Sequence, residues 1–510
     1  MTDHYDVIVI GSGAGGGTAF HALGAAGKRV LLLERGDYLP REQENWSPVA
    51  VWGEHRYRNS GSYLDRDGTP FLPKQHFYVG GNTKVYGAVL FRMRERDFGV
   101  VQHHGGESPA WPLSYADFEP WYSEAEQLYQ VHGRHGIDPL DPPVSMEYPH
   151  PPVANEPRMQ QLWDDLAARG LNPFPLPMGV LLDESAPHLS KCIKCETCDG
   201  HPCLTNAKSD SETICVVPAL SSFPNVTMLT NCRVDRLDTD PSGRRVSTVV
   251  VDRQGEREEY SADIVIVACG AINSAALLLK SANDHHPDGL GNSSGVVGRN
   301  LMMHHNSALI AFSKLPNPTR FQKTLGINDY YYGDNVPESE WGYPLGAIQM
   351  LGRQHVSAFS GPDAEEQAAH AVEFWVTTED LPSERNRVTV EPDGTVKVAY
   401  WDTNAVAHER LIEKWKELLE TMQCRDEYIE AGHYNGGRNS IEGVSHQNGT
   451  VRFGTDPTTS ALDINCKLHD VDNVYVVDSS FFCSSSAVNP TLTIIANALR
   501  VSAHLADVTS

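Results

Sequence analysis

Residues 5–36 read YDVIVIGSGAGGGTAFHALGAAGKRVLLLERG, and this stretch decides the fold of the chain. Residues 5–10 are an apolar run that predicts a buried strand, and the six residues that follow match G-x-G-x-x-G. Residues 18–27 are rich in alanine and compatible with a helix, and residues 28–33 predict a second buried strand that ends at Glu34. This order predicts a βαβ unit with an acidic residue at the tip of its second strand.

The glycines of this turn have a specific chemical use. Gly11, Gly13 and Gly16 let backbone amides approach a pyrophosphate at the N-terminus of the helix, where the helix dipole favours an anion. Glu34 is placed to accept hydrogen bonds from a ribose 2′-hydroxyl. The alternative is a glycine-rich turn that binds nothing, although all four parts of the unit fall in register. The motif does not separate FAD from NAD, but Glu34 followed by Arg35 is similar to the ending of this unit in FAD-binding proteins.

Composition and charge narrow the class of protein. The chain has 510 residues, of which 40% are hydrophobic and 21% charged, a balance typical of globular proteins. A net charge of −25 disfavours nucleic acid and anionic membranes as partners, although a generic acidic surface explains it equally well. The longest weakly polar run, residues 264–279, is shorter than the ~18 apolar residues of a membrane span. Since Asp3 and Asp6 stand where a signal peptide carries basic residues, we expect a cytoplasmic protein with no membrane partner.

Further motifs extend this pattern along the chain. They are GGNTKVYGA at 80–88, DIVIVACGAINSAALLL at 263–279, GRNL at 298–301 followed by His304, NVYVVD at 473–478 and NPTLT at 489–493. Their residues and their order resemble the glucose–methanol–choline (GMC) oxidoreductases. The resemblance implies a mixed α/β fold, with a Rossmann-like FAD-binding domain of the GMC and p-hydroxybenzoate-hydroxylase-like kind and an antiparallel-sheet substrate domain.

The same resemblance implies FAD as the cofactor and assigns residues to it. The expected cofactor-binding residues are Gly11, Gly13, Gly16, Glu34, Arg35, Gly80, Gly81, Asn82, Thr83, Val234, Ala268, Gly270, Asp478, Asn489, Pro490 and Thr491. For Asp478 the alternative is a turn acid that caps a loop. Val85 precedes Tyr86, at the place where fungal pyranose oxidases carry the histidine that tethers FAD. We therefore expect FAD to be bound non-covalently.

The motifs divide the chain into discontinuous pieces. Residues 1–95, 205–305 and 435–510 are expected to form the FAD-binding domain. Residues 96–204 are expected to form a cap over the flavin, with helical spacing over 111–131. Residues 306–434 are expected to form the substrate domain, where 388–390 and 396–400 are strand-like and 414–422 is helical. The family resemblance implies that this last segment supplies the antiparallel sheet over the substrate pocket.

The segment GVSHQNGT, residues 443–450, holds the candidate catalytic base. Alcohol oxidation by hydride transfer needs a base for the hydroxyl proton and a polar group that holds the oxygen. By resemblance His446 is the base and Asn489 the oxygen-holding donor. The alternatives are a polar turn histidine and an N-cap before Pro490, a residue favoured at the first helical position. His433 is a second candidate imidazole, with an ordinary core histidine as its alternative.

Four of the ten cysteines are concentrated in twelve residues, at Cys192, Cys195, Cys198 and Cys203. Free thiols or local disulfides, a zinc site and an iron–sulfur cluster are all compatible with the spacing. The last gap and Leu204 depart from the C-x2-C-x2-C-x3-C-P pattern of cubane clusters. Similar cysteine-rich segments occur in bacterial GMC enzymes that work with FAD alone, so we expect no metal.

Within the family the chain is similar to bacterial pyranose oxidases and C-glycoside 3-oxidases, on WPLSY at 111–115, the cysteine-rich stretch and the His446–Asn489 pair. This implies oxidation of a secondary hydroxyl at C3 or C2 of a glucosyl ring, in a sugar or a glycoside. The flavin would be reoxidised by O2 or a quinone-like acceptor. The alternatives are oxidation of a non-sugar alcohol, such as a sterol or polyol, and a flavin subunit that only carries electrons. The oligomeric state is not predicted.

Overall fold

The computed structural model describes residues 4–59, 61, 63–337, 339–431 and 441–508. The helices are α1 (Ala14–Ala25), α2 (Tyr115–Leu128), α3 (Pro157–Ala167), α4 (Val217–Ser222), α5 (Ala271–Lys280), α6 (Ala364–His370), α7 (Ala405–Glu420) and α8 (Thr491–Val508). The strands are β1 (His4–Ile10), β2 (Val30–Leu33), β3 (Tyr63–Asp65), β4 (Pro70–Phe71), β5 (Val101–His103), β6 (Gly106–Ser108), β7 (Val131–His132), β8 (Phe174–Pro175), β9 (Met178–Gly179), β10 (Val226–Leu229), β11 (Cys232–Thr239), β12 (Val246–Arg253), β13 (Glu256–Val267), β14 (His305–Ser313), β15 (Leu325–Ile327), β16 (Ala347–Met350), β17 (Ala371–Thr378), β18 (Arg387–Val390), β19 (Val396–Ala399), β20 (Cys424–Ala431) and β21 (Val474–Val476).

The first sheet is a parallel sheet built on the N-terminal motif. Strand β1 lies between β2 and β13, β10 extends the sheet beyond β2, and β21 pairs with β13, all in parallel. The apolar runs of β1, β2 and β13 are buried, as is typical of the strands of a parallel sheet. Strand β13 continues past this sheet into antiparallel pairing with β12, which pairs with β11. The predicted βαβ unit and the Rossmann-like fold are confirmed.

The second sheet is antiparallel, in the order β20-β14-β17-β16-β15-β8. Side chains along its strands alternate between the two faces of the sheet. One face carries Leu309, Ile348 and Phe374, which pack with α7, where the Trp415 ring lies 5.2 Å from that of Phe374. The other face carries Gln349 and polar or aromatic neighbours and is turned toward the first sheet. The mixed α/β fold with a second, antiparallel sheet is as predicted.

The strand-like runs of the predicted substrate segment require a correction. Strands β18 and β19 form a hairpin, but β19 pairs in parallel with β3 in a separate sheet, instead of joining the second sheet. Pairing with β3 links this hairpin to the N-terminal segment of the chain. Sequence pattern predicts that a strand exists but not which edge it pairs with, which is set by tertiary packing.

Residues 96–204, the predicted cap, contact both the C-terminal helix and the cavity. Helix α2 packs against α8, and the Tyr122 hydroxyl lies 2.8 Å from Thr493 Oγ1. Within this segment, residues 196–201 border the large cavity described below. The division into three units stays a prediction. In the described part of the chain, no helix combines the length and the apolar character that a membrane crossing requires.

Candidate functional site

The candidate site is a cavity of about 1500 Å³ between the carboxyl ends of the first sheet and the polar face of the second. Ordinary ligand pockets measure ~300–1,000 Å³, so this cavity has room for a large cofactor and a second molecule. Predicted site residues that line it are Gly11, Gly13, Glu34, Arg35, Gly81, Asn82, Thr83, Val234, Ala268, Gly270, His446, Asp478, Asn489, Pro490 and Thr491. Gly16 and Gly80 do not themselves line the cavity, although each has a neighbour in the chain that does.

The glycine turn fits a dinucleotide. A Cβ on Gly13 would meet no heavy atom within 4 Å, so this end of α1 opens onto free space. A Cβ on Gly16 would lie 1.9 Å from the carbonyl oxygen of Gly11, and one on Gly15 would lie 2.2 Å from that of Val477. Gly13 therefore leaves room for a phosphate at the helix N-terminus, whereas Gly15 and Gly16 let α1 pack closely on its surroundings.

Glu34 is held in place for a hydroxyl group. Its carboxylate is buried and accepts hydrogen bonds from the backbone N–H groups of Ser12 and Gly36, both at 2.9 Å. Burial raises the pKa of Glu34, and these hydrogen bonds oppose the shift. The Ser12 hydroxyl donates a third bond, at 2.5 Å, so about one of the four acceptor positions of the carboxylate remains for a ribose hydroxyl. The guanidinium of Arg35 lies 4.0 Å from the centre of the Phe77 ring, at the edge of the same cavity.

Asp478 caps a turn, as the alternative interpretation predicts, and it also lines the cavity. One carboxylate oxygen accepts from the backbone N–H of Ser480 at 2.8 Å and caps the turn there. The other accepts from the N–H of Gly270 at 2.9 Å, which joins the ends of β21 and β13 beside the cavity. Burial raises the pKa of Asp478, against the hydrogen bonds from Ser274, Ser480 and Gly270. Asp478 thus shapes the floor of the site and also caps a turn.

His446 reaches the cavity through a pair of loops. The backbones of Met302 and Asn448 exchange two hydrogen bonds of 3.0 Å, in an isolated antiparallel bridge. Two residues away along each of these two segments, the same register places His304 beside His446. Their Nδ1 atoms are 2.8 Å apart. Burial and the nearby His304 and Lys74 side chains lower the pKa of His446 well below its ordinary value of 6.5. His446 is therefore neutral at neutral pH.

The hydrogen bonds of His304 select the tautomer of His446. His304 Nε2 lies 3.2 Å from the carbonyl oxygen of Ser485, which can only accept, so His304 Nε2 carries the proton. Burial also lowers the pKa of His304, which makes its Nδ1 an acceptor. His446 then donates from Nδ1, and its Nε2 keeps a free lone pair. The geometry thus gives His446 the proton arrangement of a general base.

Asn489 stands just before α8. The N–H of Ile494 donates to the carbonyl oxygen of Pro490 at 3.1 Å. Pro490 is therefore the N-cap residue of α8. Asn489 lies outside the helix, and its Oδ1 accepts from Nε2 of Gln349 at 3.3 Å. Its side chain is therefore paired with the second sheet rather than with the backbone N–H groups of α8. His446 and Asn489, far apart in sequence, line the same cavity.

Three residues that act on His446 or Asn489 are absent from the sequence-based site prediction. His304 follows the GRNL motif as the first of two adjacent histidines, and this doubled histidine is a usable signal. Gln349 is the polar residue of the short strand AIQM, a weak signal at best. Lys74 lines the cavity, and its Nζ lies 5.2 Å from the centre of the Trp52 ring. Predicted candidate His433 lies outside the described residues.

The cysteine-rich stretch borders the cavity without forming a recognisable metal site. All ten cysteines are free thiols, and among the described residues no group of three or more Cys, His, Asp or Glu is arranged to hold a metal ion. Burial raises the pKa of Cys192 to about 12 and that of Cys198 to about 11. Cys203 differs: burial acts against its thiolate, but Lys208, Thr205 and backbone N–H groups outweigh burial and lower its pKa.

Comparison with known families identifies the chain. The N-terminal family model of the GMC oxidoreductases matches residues 5–306, and the C-terminal model of the same family matches residues 382–498. The chain is a GMC oxidoreductase. The family prediction made from the motifs is confirmed, and FAD is the cofactor, which the glycine turn and Glu34 fit. This GMC oxidoreductase is a flavoprotein that acts on CH–OH groups.

Relatives of this GMC oxidoreductase include two oxidases from Streptomyces. It is 32% identical to 6'''-hydroxyparomomycin C oxidase of Streptomyces lividus, over 99% of this chain and 91% of the relative. It is 29% identical to paromamine 6'-oxidase of Streptomyces fradiae, over 97% and 90% of the two chains. The solved structure of pyridoxine 4-oxidase from Mesorbium loti has a TM-score of 0.67 at 19% identity, over 98% of this chain and 99% of that one. At this identity the structural likeness shows the shared fold alone.

Proposed function

We propose that this GMC oxidoreductase oxidises a hydroxyl of a sugar or glycoside, with His446 as the base. The observation that carries the proposal is the free Nε2 of His446, fixed by His304, in the cavity that Asn489 also lines. We place the reaction at a secondary hydroxyl, C3 or C2 of a glucosyl ring. The relatives named for paromamine and paromomycin compounds support a sugar substrate, and so does the partly buried Trp375, an aromatic platform for a sugar ring.

In this proposal the chain supplies binding, orientation and proton transfer. His446 Nε2 takes the hydroxyl proton as the C–H hydrogen leaves as hydride. The amide NH2 of Asn489 donates to the alcohol oxygen and holds the C–H bond in a reactive orientation. FAD, when bound, supplies the hydride acceptor. The sugar loses two electrons and two protons and becomes a keto-sugar. The N-terminal end of α8 points its partial positive charge into the cavity, where negative charge develops on reduction.

The relatives favour a second position of attack. Paromamine 6'-oxidase is named for a 6' position and for an amino sugar, rather than for C2 or C3 of glucose. The second candidate function is therefore oxidation at position 6 of an amino glycoside. Product analysis separates the two, because a ring hydroxyl gives a ketone and a primary hydroxyl gives an aldehyde. 2-Methyl-1,2-propanediol dehydrogenase of Mycolicibacterium austroafricanum, 27% identical, keeps a non-sugar alcohol among the alternatives.

The test is an anaerobic titration of the purified flavoprotein, followed by visible absorbance. Glucose, xylose, a C-glucoside, paromamine, a polyol and a sterol are added separately, and His446→Asn, which keeps a polar side chain but loses the base, is the control. Bleaching by a sugar in wild type but not in His446→Asn supports the proposal. Bleaching by sterols or polyols alone supports the non-sugar alternative, and a flavin inert to every alcohol supports an electron carrier.

Readmission of air identifies the electron acceptor. Recovery of the oxidised bands with peroxide supports O2, and recovery only with an added quinone supports a dehydrogenase. Acid precipitation of the same protein tests the mode of cofactor binding. We propose non-covalent FAD, so the yellow colour should appear in the supernatant, whereas a coloured pellet would contradict it.

A further inference from the structure

Gln349 is the residue of the second sheet that touches the predicted catalytic pair. It lies on β16, is 8% exposed, and donates from Nε2 to Asn489 Oδ1 at 3.3 Å. In the register of the sheet, Gln349 is paired with Trp375 of β17, whose side chain also lines the cavity. The contact therefore joins the sheet expected to hold the substrate to the residue expected to hold the alcohol oxygen.

The contact determines which end of the Asn489 amide faces the cavity. An amide that accepts through Oδ1 has its NH2 group free to donate elsewhere. Gln349 Oε1 has no hydrogen-bond partner among the described residues. If both amides were reversed, Gln349 Oε1 would accept from Asn489 and both N–H donors of Gln349 would be unmet, whereas the observed arrangement leaves Oε1 and at most one N–H of Gln349 without a partner among the described residues. Because buried donors without partners are the rarer case, the observed orientation is favoured.

A neighbouring amide on the same face shows that this arrangement is particular to Gln349. Asn306, on β14, is buried and also lines the cavity, but its Oδ1 accepts from Thr377 Oγ1 at 2.8 Å. That bond stays within the sheet. Gln349, in contrast, donates its hydrogen bond out of the sheet, to Asn489 beside the N-terminus of α8.

We infer that Gln349 is a positioning residue for the reaction: it fixes the Asn489 amide so that its NH2, and not its oxygen, meets the alcohol oxygen of the substrate. The inference rests on the proposed role of Asn489. An oxygen in that place would repel the alcohol oxygen and compete for the hydroxyl proton that His446 must take. Gln349 thus determines that a donor, and not an acceptor, faces the substrate oxygen, without touching the reacting atoms itself.

Two substitutions separate positioning from packing. Gln349→Glu keeps the size but, when ionised, can only accept, so the Asn489 amide reverses. We expect the rate constant of flavin reduction to fall on the order of 100-fold, as when one oriented donor is lost. A protonated Glu donates again, so the rate of Gln349→Glu should recover as the pH falls below the pKa of its carboxyl. Gln349→Leu should be slow with no such recovery.

The experiment is anaerobic stopped-flow reduction of the FAD-loaded variants from pH 5 to 9, with the sugar that bleaches wild type. Ile348→Val, on the opposite face of the same strand, is the control for packing and should behave as wild type. Recovery in Gln349→Glu relative to Gln349→Leu supports the inference. Equal rates in both variants and wild type, or pH profiles of the two variants that run in parallel, overturn it. A wild-type flavin that no sugar or other alcohol reduces overturns the proposed function instead, and this inference with it.

Discussion

His304 Nδ1 lies 2.8 Å from His446 Nδ1, and the backbone carbonyl of Ser485 binds the other nitrogen of His304 at 3.2 Å. This chain of contacts fixes one proton on each ring. Burial is the main cause of the low pKa of His446, and at acid pH the positive charges of a protonated His304 and of Lys74 resist a further proton on His446. The pair therefore affects both the rate and the pH dependence of the proposed reaction.

We predict that His304→Leu lowers the rate of flavin reduction by about 100-fold, because His446 loses the acceptor that orients it. The pKa of His446 is depressed, so wild-type activity should persist as the pH falls below 6.5. Removal of His304 raises this pKa, so the acid limb of the profile should move to higher pH. His304→Gln, which offers an amide oxygen to Nδ1–H, should restore part of the rate.

The measurement is kcat/KM against pH for wild type and both variants. An acid limb at the same pH in all three proteins would contradict the role given to His304. A Leu variant that is slow but keeps the wild-type profile would indicate a packing defect only. Bound FAD, measured from the visible spectrum, checks that each variant is folded.

Local pattern accounts for the part of this molecule that could be predicted. The run from residue 5 to Glu34 carries its own spacing of strand, turn and helix, so the cofactor end of the site could be read from sequence. The roles of His446 and Asn489 can be predicted only from motif resemblance, since no local pattern distinguishes His446 from a turn residue or Asn489 from a helix cap. Gln349 could not be found, because its role depends on a contact with a residue 140 positions away, which no local pattern encodes. The pairing of β19 with β3 is likewise a long-range contact that no local pattern encodes.

Two glycines of the N-terminal turn should respond differently to the same substitution. Gly13→Ala adds a methyl group to open space, at an ordinary φ of −64°, so the protein should fold with a nearly unchanged melting temperature. The methyl group occupies the space expected for the pyrophosphate, so FAD affinity should fall at least 10-fold. In Gly16→Ala the methyl would lie 1.9 Å from the carbonyl oxygen of Gly11, which must destabilise the βαβ unit.

Thermal unfolding of the apoproteins and FAD titration by fluorescence quenching check this pair. Gly13→Ala should bind FAD more weakly but unfold at the wild-type temperature. Gly16→Ala should also unfold at a lower temperature. Unchanged FAD affinity in Gly13→Ala would contradict the phosphate position assigned to this turn. An apoprotein of Gly16→Ala as stable as wild type would contradict the packing described for α1.

Cys203 should be more reactive than Cys192 and Cys198 of the cysteine-rich stretch. Burial disfavours its thiolate, but the charge of Lys208, Thr205 Oγ1 at 3.5 Å and the Ala207 N–H at 3.3 Å outweigh this and lower its pKa. Iodoacetamide at pH 7.5 should therefore label Cys203 before Cys192 and Cys198, whose pKa values burial raises to about 12 and about 11.

Peptide mass analysis of briefly labelled protein measures the order of reaction. Thr205→Val removes one hydrogen bond, worth roughly 1 kcal/mol, and should slow the labelling of Cys203 about fivefold. Ser190→Ala, elsewhere in the same segment, is the matched control. Faster labelling of Cys192 or Cys198 would contradict the prediction, as would a Thr205→Val protein labelled at the wild-type rate.

A buried ion pair should contribute strongly to the stability of the fold. Arg92 and Glu126 of α2 form two hydrogen bonds of 2.7 Å, and their side chains are 2% and 1% exposed. Glu126→Gln leaves the guanidinium with Glu119, 3.3 Å away and partly exposed, as its remaining counter-charge, so the free energy of unfolding should fall by ~3 kcal/mol. The double variant Arg92→Met/Glu126→Met removes both charges, so it should be more stable than Glu126→Gln, since neither ion then has to be desolvated. Denaturant unfolding of the three proteins measures these differences. If Glu126→Gln unfolds at the wild-type midpoint, or if the double variant is the least stable of the three, the ion pair does not hold α2 in the way its geometry implies.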